Sequence, residues 1–522
     1  MSNNTQGRAV LPKPPWPRLP DLPNRRFGKT SLPLLALLLT LPANAALFPP
    51  GGQVGTTVEA TVSGSFEKWP PKIRDLGHGL IIEPLEKKGK LKISIPKDAK
   101  TGTRLIRILT EKEVSAPHFF VVSDQKESLE KEPNNRLDEA QEIEGFPALL
   151  NGKLHKKGDT DFFRIHLEKG QKLSARIDAY SLKSPIDAFI HIFDPKGYEA
   201  AVASDTHNLD PHLAYEAQET GKHTLQIMAV TAKASTAITY YGTEESVYRL
   251  HLSAPTSPDP PDAQIQEADA PEFLPIPSTL AGTFSTPGET DTFQVKVPKR
   301  EQLLIRVESY SLQYPADPVL LVYTTPNKLL KETDDDRTRK SKDPEYLLRS
   351  GMDEPYYIKI RERFGMSGSD YHYRLTLEKP TPSIRPTLAK DTFKAEPGKD
   401  VQIKVTLNRK NGHKSPLHAA LTGLPDGFYI QGQTIPGDAK DATLKITAQP
   451  DAPPGHHPFL IYLLDNPQEN ASTRQAFYSL QTSESRGDYL VNQTPTLWIT
   501  VPEPEKEEAK EGNKGKEEKA GE

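Results

Sequence analysis

Arg176-Ile177-Asp178-Ala179-Tyr180-Ser181-Leu182 is answered further along the chain by Arg306-Val307-Glu308-Ser309-Tyr310-Ser311-Leu312. Working outward, Asp159-Thr160-Asp161-Phe162-Phe163 pairs with Glu289-Thr290-Asp291-Thr292-Phe293, and Pro185-Ile186-Asp187 with Pro315-Ala316-Asp317. Tyr248-Arg249-Leu250-His251-Leu252 pairs with Tyr373-Arg374-Leu375-Thr376-Leu377. The spacing stays near 130 residues throughout, so the chain carries an internal repeat over 128–254 and 262–379. Within these blocks apolar side chains recur at every second position, the period of a strand with one wet face. Recurrence of Phe163/Phe293 and Tyr180/Tyr310 at matching places is what core packing predicts.

The flanks read the same way. Thr57-Val58-Glu59-Ala60-Thr61-Val62 and Leu91-Lys92-Ile93-Ser94-Ile95 alternate before the repeat, as do Val401-Gln402-Ile403-Lys404-Val405 and Thr443-Leu444-Lys445-Ile446 after it. The fold class is therefore all-β: tandem β-sandwiches, jelly-roll-like and immunoglobulin-like, over 47–125, 128–254, 262–379 and 385–501. A Pro-rich linker, 255–261, separates the repeats. Residues 503–522 are almost wholly Glu, Lys, Ala and Gly, a composition that cannot bury apolar area and reads as a disordered charged tail.

Arg25, Arg26 and Lys29 precede an apolar stretch from Leu32 to Leu41 and the small residues Ala43-Asn44-Ala45. This is the pattern of a signal peptide over 1–46, and the apolar run is about half the ~20 residues that cross a bilayer. The expectation is an exported chain, secreted, periplasmic or cell-surface, with no integral membrane segment once the signal is removed. The 522 residues contain no cysteine, which excludes disulfides, thiolate metal sites and cysteine nucleophiles. A net charge of −4 offers no electrostatic case for nucleic acid.

The first repeat resembles the bacterial pre-peptidase C-terminal (PPC) domain. The resemblance is carried by Glu132-Pro133-Asn134-Asn135, Ala140, Gly152, Gly158-Asp159, Asp161-Phe162-Phe163, Gly170-Gln171, Ile186-Asp187, Asp194-Pro195, Gly197 and Gly221. The second repeat lacks the Glu-Pro-Asn-Asn opening and resembles a degenerate copy. Pro49-Pro50-Gly51-Gly52-Gln53 and Ala99…Gly102 give residues 47–125 a resemblance to immunoglobulin-like IPT/TIG domains.

One cluster points to chemistry. Glu130, Glu132 and Asn134 alternate along an extended segment, so their side chains project to one side, and Asp159 and Asp161 follow on a connecting loop. Calcium takes six to eight hard oxygen ligands of these types. In PPC-type collagen-binding domains, acidic and amide residues at matching positions hold calcium, so the resemblance implies calcium as a cofactor here. The alternative is structural: Glu132-Pro133-Asn134-Asn135 caps the domain through side-chain hydrogen bonds to backbone. In the second copy Pro260, Asp262 and Gln264 stand at the aligned positions, which predicts a poorer site or none. His207-Asn208-Leu209-Asp210-Pro211-His212 has zinc-ligand types, but its composition reads as a solvated turn, and His456-His457 reads alike. Asp334-Asp335-Asp336 reads as an acidic surface turn.

His-Glu-x-x-His, Gly-x-Ser-x-Gly and phosphate-cradling glycine loops do not occur. The expected function is a non-catalytic exported binding, adhesion or cell-envelope scaffold protein whose partner is a glycan or a protein. The second reading is an accessory subunit of an exported hydrolase such as a peptidase.

Overall fold

A computed structural model describes residues 46–64, 66, 68–77, 79–233, 239–255, 259–312, 314–335, 341–432, 434–465 and 473–503. The signal-peptide stretch up to Ala45, part of the linker, Asp336 and the charged tail from residue 504 lie outside them. Among the described residues there is no α-helix, only strands and four short 3₁₀ turns. None of their helices is long and apolar enough to cross a membrane.

Every strand that alternates in sequence puts its apolar set inward. Asp400–Lys410 switches exposed and buried residue by residue along its first eight positions, placing Val401, Ile403, Val405 and Leu407 in a core. Among the described residues the strands gather into eight sheets, which form four sandwiches, the first of two four-stranded sheets and the last of two six-stranded ones. The all-β sandwich class is thereby realised four times.

The two middle sandwiches share a topology. In the first repeat, one sheet runs Glu127–Leu129, Ala148–Lys153, Val247–Ser253, Lys172–Asp178, His212–Glu216. In the second repeat the order Ile265–Gln266, Ser278–Thr283, His372–Glu378, Gln302–Glu308, Glu345–Arg349 matches it strand for strand. The facing sheets also correspond, with Gln141–Ile143 as an additional edge strand in the first repeat. Phe163 and Phe293 are buried in the two cores, and Tyr180 and Tyr310 are buried on the matching 3₁₀ turns. Each turn is held by one carboxylate that accepts three backbone N–H groups. Asp210 takes those of Ala179, Tyr180 and Ser181, and Asp343 those of Ser309, Tyr310 and Ser311, all at 2.7–3.0 Å.

Sequence periodicity says nothing about how the sandwiches meet, and here they share interior. Arg107 of the first is buried and ion-paired with Asp391 of the fourth. Leu109 and Val114 pack on the fully buried Trp498. Leu105 and Phe119, Leu182 and Leu480 form one apolar cluster drawn from the first, second and fourth sandwiches. Arg249 of the second lies against Gly51 of the first, where an added Cβ would fall on its guanidinium. A buried ion pair such as Arg107–Asp391 adds little over a hydrophobic contact but is costly to break.

Candidate metal centre

The site begins with a glycine. Gly152 and Tyr248 are directly opposite on neighbouring antiparallel strands. A Cβ at 152 would stand 2.1 Å from the Tyr248 ring, so only glycine lets that ring lie across the strand. The ring carries its hydroxyl to the strand end, where it donates to Asp161 Oδ2 at 2.5 Å and approaches Glu130 Oε2 at 3.4 Å. Glu130 is held on the other side by the Lys153 N–H, 2.9 Å from Oε1.

All five residues singled out in the sequence, Glu130, Glu132, Asn134, Asp159 and Asp161, converge on this place. Glu132 Oε2 accepts from the Asn134 N–H (3.1 Å) and the Asn135 amide (3.0 Å), so the capping geometry is present as well. Phe162 N–H to the Asn134 carbonyl, 2.8 Å, ties the entering segment to the Asp159–Asp161 loop. With its NH₂ inward, the Asn134 side chain donates to Glu132 Oε2 (3.0 Å) and Asp161 Oδ1 (3.3 Å). With its oxygen inward it becomes a further donor to a cation.

The electrostatics are those of a group short of positive charge. Burial, then the Asp161 charge, pushes the Glu130 carboxyl up to about 10. Burial lifts Asp161 to about 7 against the downward pull of its hydrogen bonds from Tyr248 and Glu130. The Tyr248 phenol is raised well above its ordinary value by burial and these two carboxylates. Asp159, nearly fully buried, accepts from the His155 N–H through Oδ2 (2.6 Å) while its Oδ1 has no hydrogen-bond partner.

Two participants escape the sequence reading. Tyr248 is one, although the pairing of Gly152 with an aromatic in the final strand is a signal that would have found it. His155 is the other. Its Nδ1 lies 3.2 Å from Glu132 Oε1, 3.7 Å from Asp159 Oδ2 and 4.0 Å from Glu130 Oε1.

The second repeat corrects the expected correspondence. Strand register matches Ile265 with Leu280, as Ser128 is matched with Leu150 in the first repeat. Glu267 is therefore the counterpart of Glu130, rather than any of Pro260, Asp262 and Gln264. The Thr283 N–H donates to Glu267 (3.1 Å) as Lys153 does to Glu130. Gly282 makes room for Tyr373, whose hydroxyl donates to Asp291 Oδ2 at 2.7 Å. Glu267, Glu289 and Asp291 each offer an oxygen within 4.8 Å of the others. Burial lifts Asp291 to about 7, with the Tyr373 hydrogen bond opposing.

The other sequence candidates have structural work. The 207–212 segment is not a solvated turn: Asn208 and Asp210 are buried, Asp210 caps the Tyr180 turn, and His207 stacks on Tyr310 of the second repeat at 4.3 Å. His212 bonds the Ser174 hydroxyl (2.8 Å), which takes it away from a zinc sphere with His207. His456 bridges the Thr500 hydroxyl (2.8 Å) and the Thr110 carbonyl (2.6 Å), and His457 meets the Pro453 carbonyl at 2.8 Å. Asp334 pairs with Arg363 at 2.7 Å.

No protein-family model and no curated protein matches the chain. Among solved structures, the Bacteroides ovatus mixed-linkage glucan utilization locus SGBP-B, in complex with a mixed-linkage heptasaccharide, aligns at 11% identity. That alignment covers 63% of this chain and 72% of that one, with a TM-score of 0.15. The N-terminal four Ig domains of Dscam1 isoform 7.44 align at 10% identity over 87% and 96%, TM-score 0.18. The fibronectin(III)-like modules of Clostridium thermocellum CbhA align at 13% over 40% and 88%, TM-score 0.12. Matches at this level carry nothing about what the chain binds.

Proposed function

We propose that this chain is a non-catalytic exported protein that binds an envelope or extracellular glycan or protein and presents it on a fixed array of four sandwiches. The two middle ones are read as PPC-type and the first as IPT/TIG-like. The observation that supports this best is the use of the reactive side chains. Arg107–Asp391, His207 on Tyr310, Asp210, Asp343 and His456 all join or shape sandwiches. A scaffold needs its modules held in one arrangement, and buried polar contacts between modules supply that selectivity.

Among the described residues the carboxylates around Asp161 face the single His155 imidazole, and a divalent cation is the group that would balance their remaining charge. Oxygen donors alone would select calcium. Such an ion ties the entering segment at 130–134 to the Asp159–Asp161 loop and so stiffens the first repeat.

The test is retention of the full chain on insoluble polysaccharides and on immobilised matrix and envelope proteins, with and without chelator. Retention on one polymer, without hydrolysis of casein or of a glycan panel, is the expected outcome. Turnover of any of these substrates by the pure chain would overturn the non-catalytic reading.

A further inference from the structure

Oxygen is not the only donor at the first-repeat site. We infer that His155, with Glu132 and Asp159, makes this a mixed nitrogen–oxygen site that takes a first-row divalent cation of the zinc class in preference to calcium. The inference rests on the cation reading above and names the ion.

Three observations carry it. First, His155 Nδ1, Glu132 and Asp159 each offer one ligand atom, all within 4.8 Å of one another. A zinc ion at 2.0–2.2 Å from N and O ligands in a tetrahedron separates those ligands by about 3.3–3.6 Å. The distances of 3.2 Å and 3.7 Å from Nδ1 to Glu132 Oε1 and Asp159 Oδ2 bracket that edge, so an ion fits with small adjustments.

Second, one buried donor atom is bare. Asp159, only 2% exposed, leaves its Oδ1 without a hydrogen-bond partner, and His155 Nδ1, itself shielded from solvent, faces only the carboxylates, Glu132 Oε1 nearest at 3.2 Å. Buried polar atoms are ordinarily satisfied, and an ion is a standard reason for exceptions. The fixed surroundings resemble what a metal ligand needs: Asp159 Oδ2 is oriented by the His155 N–H, and Glu132 by the Asn134 N–H and the Asn135 amide. Glu130, 4.0 Å from Nδ1, or a water would complete four-coordination.

Third, the second repeat supplies an internal control. Where the first has His155, the spacing set by Asp161 and Asp291 places Ser285, whose hydroxyl donates to the Thr283 carbonyl. Its acidic group is all oxygen: Glu267, Glu289 and Asp291. Imidazole selects zinc, copper or nickel over calcium, whereas carboxylates alone suit the hard ions.

The experiment is titration of the chelator-treated full chain with zinc and with calcium, for wild type, His155→Gln and His155→Cys, with cobalt(II) as a spectroscopic substitute. Zinc should bind wild type at least 30-fold more tightly than calcium. His155→Gln should lose at least 30-fold in zinc affinity while calcium affinity moves less than threefold. His155→Cys, which restores a zinc ligand but not a calcium one, should recover zinc binding. Cobalt(II) should give visible absorption bands that His155→Gln abolishes; melting curves in chelator confirm that each variant is folded. Calcium binding as tight as zinc, or zinc binding unchanged in His155→Gln, overturns this inference and leaves the cation reading standing. Binding of neither ion overturns both.

Discussion

The two middle sandwiches are built alike but their sites differ, and the difference separates what the fold needs from what a ligand needs. Both keep the glycine, the tyrosine laid over it, the buried acid that accepts its hydroxyl, and the glutamate tied to the adjacent strand. Shared features of this kind belong to the architecture. Only the first repeat adds Glu132, Asn134 and His155 around the acid, and only there is the central aspartate fully buried, Asp161 at 0% against 7% for Asp291. The supernumerary groups are the ones that cost stability in the absence of a partner, which is why the proposed cation is assigned to the first repeat.

The largest effect should come from filling the glycine positions. Gly152→Val and Gly282→Val drive Cβ into the Tyr248 and Tyr373 rings and should each cost about 3 kcal/mol, read by urea denaturation. Only Gly152→Val should also abolish cation-induced stabilisation by zinc. Equal loss of that response in both variants would remove the distinction between repeats.

Next is the phenol. Tyr248→Phe leaves Asp161 buried without its short hydrogen bond and should cost about 2 kcal/mol, more than Tyr373→Phe, because Asp291 retains some access to water. A larger loss in the second repeat would reverse the assignment.

The turn caps should not discriminate. Asp210→Asn and Asp343→Asn each weaken three backbone contacts at matching turns and should cost about 1 kcal/mol apiece, measured by thermal melts.

The pH response tests the same acids by a separate route. Raised acids favour the folded state while protonated, so their contribution is complete below about pH 4. It is lost as pH rises through about 7 for Asp161 and onward toward about 10 for Glu130. In chelator, the melting temperature should fall on going from pH 5 to 8, and Glu130→Gln should flatten that fall. Because the ion needs ionised ligands, stabilisation by added zinc should grow over the same interval. A chelated wild type that gains stability from pH 5 to 8 would contradict the buried, unneutralised acid pair.

Strand alternation, the repeated Tyr-Ser-Leu block, the matching Asp159-Thr160-Asp161 and Glu289-Thr290-Asp291 and the turn chemistry made the sandwich class and the equivalence of Phe163 with Phe293 legible without coordinates. The gathering of Glu130, Glu132 and Asn134 near Asp159 and Asp161 was legible too, since period-two projection brings the first three to one side. Glu267 was not. The connection from Glu267 to Gly282 is shorter than that from Glu130 to Gly152, which carries the extra strand Gln141–Ile143, so a constant offset misaligns them. His155 was hidden for another reason: a lone histidine in a Lys-rich loop has no periodic partner, and its approach to Glu132 depends on a separate segment.

By itself, then, the sequence determined the elements, their inward faces and the repeat, because these follow from local periodicity and composition. The tertiary structure alone decided that His207 stacks on the second repeat, that Arg107 meets Asp391, and that His155 faces Glu132 and Asp159. Each of these joins residues from separate segments, and such contacts are set by the packing of whole sheets, which no local pattern encodes.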